Sequence, residues 1–298
     1  MAKQDTSAGP RVTRWPLVRF AVYAVAALAT IIGATIATRL LVPPPPSPLH
    51  ELGLLKNLFL PIALFIIYAA LVRWMERRPA TEVSIRRGFS SLLIGNVVGA
   101  AIIGATFAIL WRMGLVEISN GTGLAGIERD LLVLMITAML EELLFRVILF
   151  KILEEIVGSL FAILLSAAAF GLAHIANPGA TPFALFALSI ELGVMLALTY
   201  MLTRNVWLAI GIHAGWNFMQ GFVLGAHNSG QQHPNSYFQT EFSGPDYLTG
   251  GAFGLEASVV TLGLSTAVSA VLLVLIVRKR AWVGLRLNFG SKRLVTAT

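Results

Sequence analysis

Residues 131–151 read Leu-Leu-Val-Leu-Met-Ile-Thr-Ala-Met-Leu-Glu141-Glu142-Leu-Leu-Phe-Arg146-Val-Ile-Leu-Phe-Lys151. The stretch is apolar and long enough to cross a bilayer, for which a helix needs roughly 17–25 residues. Besides Lys151 at its very end, three ionisable groups nevertheless sit in its second half, Glu141, Glu142 and Arg146. An ionised side chain at the centre of such a helix costs roughly 2.5–3.5 kcal/mol on insertion scales, and by default it marks a functional site. Glu142 and Arg146 are one turn apart, on one face, at the spacing of an intrahelical ion pair. Pairing lowers the cost of burying both charges. Glu141 points about 100° away and has no opposite charge three or four residues on, so it is the carboxylate left free to act as a general base.

Two more apolar stretches carry pairs at the same spacing, Phe170 with His174 and His213 with Asn217. Each stretch therefore aims its polar groups in one direction. Glu141 and His174 flank a turn near Val157–Gly158 at nearly equal separation, about 25 Å along each helix, so they are level across an antiparallel hairpin. The next hairpin turns near Arg204, and His213 lies roughly 13 Å beyond it. The heights agree if the first hairpin projects past the second by about 10 Å, which the polar Lys151, Glu154 and Glu155 permit. The site then falls within the membrane, nearer its cytoplasmic side. His213 and Asn217 present an N–H and an amide on one face, which suits a developing oxyanion. Phe170, Trp216, Phe218 and Met219 are read as packing residues. Glu191 is level with Asn217 and is a candidate to face the same cavity, whereas Glu256 lies near a helix end and reaches the interface. His227 and His233 fall in a polar loop and are read as solvated.

The rest of the chain agrees with a membrane setting. Its 298 residues are 56% hydrophobic and 12% charged, with mean hydropathy +0.78, which excludes an ordinary soluble domain. No cysteine is present, so disulfides, thiolate ligands and a thiol nucleophile are excluded. The net charge of +7 needs no nucleic-acid partner, because its position follows the membrane. Spans are expected at about 19–42, 57–72, 88–111, 131–151, 158–175, 182–203, 205–226 and 252–277. Pro43–Pro46 with Pro48 is a stiff extended connector, Ser119–Gly123 is polar and Gly-rich, and His227–Gly250 is a polar loop with few apolar anchors. The first apolar stretch is too long for a signal peptide and lacks a small-residue cleavage site, so it is read as a retained helix. With the N-terminus inside, 17 of the 22 basic residues fall on the cytoplasmic side: the N-terminal tail, the Arg73–Arg87 loop, Lys151, Arg204 and the C-terminal tail. Arg39, Lys56, Arg112 and Arg129 fall outside, and Arg146 is intramembrane. Both termini are then cytoplasmic, which requires an even number of spans. The expected architecture is all-α, with about eight transmembrane helices over 19–277, a core at about 130–225 that carries the three motifs, and cytoplasmic tails 1–18 and 278–298.

Glu141-Glu142-x-x-x-Arg146, Phe170-x-x-x-His174 and His213-x-x-x-Asn217 together resemble, in order and type, the three motifs of the CPBP group. These are CAAX proteases and bacteriocin-processing enzymes, also called the Abi family, related to the Ras-converting endopeptidases of prenylated CAAX proteins. The resemblance covers roughly residues 130–225. It implies an eight-helix intramembrane endopeptidase in which Glu141, assisted by His174, activates a water. His213 and Asn217 form the oxyanion hole, and Glu142 and Arg146 support the site. The family has been described both as zinc-dependent and as metal-free. On the first description Glu141, His174 and His213 are the candidate ligands, with an open fourth position. The implied partners are a peptide or membrane-protein substrate and the lipid bilayer, with no nucleic acid; the short loops point to a bacterial inner membrane. A non-catalytic immunity or binding protein of the same fold is the first rival. A proton-coupled transporter is the second, although the halves show no inverted symmetry.

Overall fold

The structure, a computed structural model, describes residues 15–41, 52–233 and 235–288. The proline connector at 43–48 and the basic residues Lys3, Arg11, Arg14, Lys292 and Arg293 lie outside the described residues. The long helices are α1 (Pro16–Leu41), α2 (Leu52–Met75), α3 (Ile85–Arg112), α4 (127–157), α5 (Ser159–Leu172), α6 (Pro182–Thr203), α7 (207–223) and α8 (Val259–Arg278). Pro16–Leu41, Gly88–Arg112, Pro182–Thr203 and Val259–Arg278 are long and apolar enough to cross a membrane, and Phe59–Met75 and Ser159–Leu172 are shorter apolar helices. The chain is an all-α polytopic membrane protein.

The hairpin turns fall at residues able to take a left-handed backbone. Gly158 has φ +85° between α4 and α5, and Arg204 has φ +51° between α6 and α7. Pro182 opens α6 behind Thr181, whose hydroxyl accepts the Ala184 N–H at 3.1 Å. This is the ordinary chemistry of a helix start. Helix α8 begins later than hydropathy suggests, because Gly251–Phe253 and Leu255–Ala257 form two short 3-10 turns before Ser258 caps it.

One short element accompanies the helices. β1 (Val116–Asn120) and β2 (Phe238–Phe242) form an antiparallel ribbon with Val116 opposite Phe242 and Asn120 opposite Phe238. Both segments are short and mostly exposed, so their sequences carry too little hydrophobic alternation to declare a pairing across the chain.

Helix α7 is fixed by backbone approach. Gly95 and Gly99 of α3 face Gly211 and Gly215 of α7, and a methyl group on any of the four would strike backbone of the opposite helix. Small residues four apart on both partners let the backbones come close, the usual device for helix pairing in lipid. His213 and Asn217 are two residues on from these glycines, about 200° around the helix. They therefore point away from α3.

Two apolar clusters divide the interior. One gathers α1, α2, the second half of α4 and the α6–α7 turn, including Tyr68, Val147, Phe150 and Tyr200. The other gathers α3, the first half of α6, α7 and the 253–257 segment, including Phe170, Leu188, Trp216 and Phe253. Beyond the first cluster lies an ion-pair network. Glu82 is 2.7 Å from Arg78 and 2.6 Å from Lys151, and it accepts the Tyr68 hydroxyl at 2.6 Å. Arg19 pairs with Glu155 at 2.5 Å, and Arg204 pairs with Glu154. Lys151, Glu154 and Glu155 are thus tied to neighbouring helices and do not form a free projection.

Candidate active site

The three motifs meet between the two clusters. Glu142 is fully buried, with Oε2 3.1 Å from Arg146 Nε and Oε1 2.9 Å from His213 Nδ1. The Arg146 guanidinium also donates to the Leu192 carbonyl at 2.5 Å and stacks over Phe170, its Cζ 4.6 Å from the ring centroid. Phe170 in turn touches both imidazoles, with ring centroids 5.1 Å from His174 and 6.0 Å from His213. It is a completely buried platform joining all three motifs.

The partners of the histidines decide where their protons sit. His174 Nδ1 lies 2.9 Å from the Phe170 carbonyl. A carbonyl only accepts, so Nδ1 carries the proton and Nε2 keeps its lone pair in the neutral ring. His213 Nδ1 likewise donates to the Glu142 carboxylate. Its Nε2 points towards Glu141, 3.9 Å from Oε2. That carboxylate oxygen is buried and has no hydrogen-bond partner among the described residues.

Glu141, His174, His213 and Asn217 all line one cavity of about 240 Å³. Its other walls are Thr137 and Leu134 of α4, Asn177 beyond α5, and Asn228, Ser229, Gln231 and His233. The cavity therefore lies under the loop following α7, at the end of the bundle opposite the Arg73–Arg87 loop. The helix-height estimate that set the site nearer the basic end is corrected. It needed the first hairpin to project past the second, whereas Arg204 pairs with Glu154 and sets the two turns side by side; π-helical segments also interrupt three of the helices, at Leu143–Phe150, Ser189–Val194 and Phe218–Val223. Such segments are frequent at functional sites. Here one begins directly after Glu142 and another directly after Asn217.

The 227–233 loop is also corrected, because it folds back as a roof. Gln220 donates to the His227 carbonyl at 2.6 Å, Asn177 donates to the Ser229 carbonyl at 2.8 Å, and Gly230 N–H reaches the Phe253 carbonyl at 2.8 Å. Glu256 does not reach an interface. It is fully buried and accepts the Ser229 N–H at 2.5 Å and hydroxyl at 3.0 Å. His233, read as solvated, is part of the cavity wall and its Nε2 is buried. Glu191 is fully buried but is not among the cavity residues. The roof was missed although 227–233, His-Asn-Ser-Gly-Gln-Gln-His, is dense in amides and imidazoles.

The proposed ligand set fares differently. Among the described residues no three histidine or acidic side chains are gathered so as to hold a metal ion. Glu141, His174 and His213 share a cavity without forming such a cluster.

No curated protein and no solved structure is matched by the chain. A family model does match, over residues 129–219, and all three motifs and the π segment after Glu142 fall within that span. The match supports a membrane endopeptidase acting on peptide substrates. The matching model is described as type II CAAX prenyl endopeptidase Rce1-like, and the stretch of this chain that is similar to it, 129–219, carries Glu141, His174, His213 and Asn217.

Proposed function

We propose that this chain is an intramembrane endopeptidase, CAAX-type in its activity class, which hydrolyses a peptide bond with a water activated by Glu141. The observation that carries the reading is the Glu141 carboxylate, which lines a cavity large enough for water together with His174 and His213 and has an oxygen without a hydrogen-bond partner. Glu141 takes one proton of the water while His174 Nε2 accepts the other O–H and orients it. The oxygen adds to the scissile carbonyl carbon. The resulting oxyanion accepts from His213 Nε2–H and the Asn217 amide, as preorganised donors in a low-dielectric site require. The C–N bond then breaks, and the proton held by Glu141 passes to the leaving amine.

For Nε2 to donate while Nδ1 bonds Glu142, His213 must carry both protons. Glu142 supplies the countercharge, and with Glu141, Arg146 and the imidazolium the four groups sum to zero. Glu142 and Arg146 are thus positioning residues. The peptidase core is about 130–225, within a transmembrane domain of 19–277 seated in a bacterial inner membrane.

Replacing Glu141 by Gln tests this, since the swap is nearly isosteric and removes only the base. Loss of general-base catalysis alone is worth about 10²–10⁴-fold. We expect purified, folded Glu141→Gln protein to lose at least that much turnover on a peptide library that the wild type cleaves. Near-normal turnover would sink the mechanism.

A further inference from the structure

A second cavity, of about 380 Å³, adjoins the catalytic one and shares His233 with it. Its size lies within the range of ordinary ligand pockets, about 300–1,000 Å³. It is framed by the end of β1 and the turn after it, by Gly225, by the roof and by β2, with Asn120, Thr122, Gln232, His233, Ser236 and Gln239 as its side chains.

The frame satisfies its own backbone. Thr122 N–H reaches the Ser236 carbonyl at 2.7 Å, the Thr122 hydroxyl accepts from Ser236 N–H at 3.1 Å, and Tyr237 N–H reaches the Phe222 carbonyl at 2.7 Å. The amides of Asn120, Gln232 and Gln239, by contrast, have no hydrogen-bond partner among the described residues. His233 is pressed against Gly221, where a β-carbon would collide with its ring, and its buried Nε2 is unpartnered. Burial lowers the imidazole from its ordinary value, with Asp130 opposing. Neither cavity is lined by lysine or arginine. The set offers paired donors and acceptors without a fixed positive charge, which matches peptide groups and neutral polar side chains better than a carboxylate.

We infer that this side cavity is a substrate subsite that holds an extended, uncharged polar stretch of polypeptide running on from the scissile bond past His233. The inference rests on the endopeptidase reading and names the substrate class of the same site. A chain rising about 3.3 Å per residue brings residues two to four positions from the bond alongside Asn120, Gln232 and Gln239. Ser, Thr, Asn, Gln and Gly are the residues favoured there.

The test is cleavage-site profiling. Purified full-length protein in detergent is given a proteome-derived peptide library, and new termini are read by mass spectrometry. The wild type is compared with Asn120→Leu/Gln239→Leu, whose altered side chains are exposed and make no contact that the fold needs. We expect wild-type cuts to be enriched in small polar residues two to four positions from the bond on one side. The double variant should lose that enrichment, with about tenfold lower kcat/KM on a polar-flanked library peptide and little change on an apolar-flanked one. Cleavage without flank preference, or an unchanged profile in the folded variant, overturns the subsite alone. No cleavage by the wild type overturns the endopeptidase reading and the subsite with it.

Discussion

At the scale of single residues, Glu142 does more than its spacing announces. The i,i+4 relation to Arg146 is legible in sequence because it is local. The bond to His213 is not, because it spans 71 residues and depends on how α4 and α7 pack. Glu142 therefore holds both Arg146 and His213 while itself fully buried. Removing one partner of a buried ion pair costs about 3–5 kcal/mol, since the other charge is left uncompensated. Glu142→Ala and Arg146→Ala should each lower stability on that order, and the double variant should fall short of the sum. A thermal-unfolding cycle in detergent reads this, and strict additivity would mean that the two side chains do not couple. Glu142→Gln separates fold from function. It keeps the shape, still accepts from His213 Nδ1, and withdraws the countercharge, so the alkaline limb of the pH–activity profile should move to lower pH. A profile that only scales in amplitude would reduce Glu142 to a structural role.

At the scale of elements, the positions of helices and hairpin turns could be read from hydropathy because lipid and core select the same apolar residues. Gly158 and Arg204 turn the chain where the sequence places the turns. What could not be read was any feature with a tertiary cause: the β1–β2 ribbon, the three π segments and the roof tied down by Glu256. The glycine pairs are a different case. Gly95-x-x-x-Gly99 and Gly211-x-x-x-Gly215 were plain in the sequence, but such pairs are common in membrane helices, and only the structure matches one with the other. Their geometry makes α7 a two-sided element, glycine against α3 and His213 with Asn217 towards the cavity. Gly215→Val should push α7 away from α3 and misplace His213 and Asn217, the proposed oxyanion donors. We expect at least a hundredfold loss of kcat with a smaller change in KM, because a misplacement of about 1 Å already costs about 10²-fold. Gly263 has open space around it, so Gly263→Ala is the matched control and should be silent. Equal turnover for the two variants would dismiss the glycine contact as a positioning device.

At the scale of the whole molecule, charge and chemistry lie at opposite ends. The basic end is knitted by Glu76, Glu82, Arg78, Lys151, Arg19 and Glu155. Burial alone would raise the Glu82 carboxyl, but Arg78, Lys151 and the Tyr68 hydroxyl outweigh it and hold the group below the usual carboxylate range. Its stabilisation is complete above the unfolded value, about 4.3, and is lost as pH falls through that value towards the folded one. Melting temperature should therefore drop more steeply on acidification in the wild type than in Glu82→Gln; parallel curves would remove Glu82 from the acid response. The same asymmetry decides which compartment the site serves. Basic residues favour the cytoplasm, and the cavity lies under the other end, so the roof should face outward. The chain has no cysteine, so single cysteines report without background. Gln231→Cys, exposed on the roof, and Thr81→Cys, exposed at the basic end, mark the two faces. Ala214, though next to His213, lies in the apolar cluster and should stay unlabelled in folded protein. An impermeant maleimide should modify Gln231→Cys in right-side-out vesicles and Thr81→Cys only in inverted ones. Substrate would then arrive from the outer face or laterally through lipid. The reverse pattern would mean that tertiary packing overrides the charge bias, and it would open the cavity to the cytoplasm, where CAAX-like tails reside.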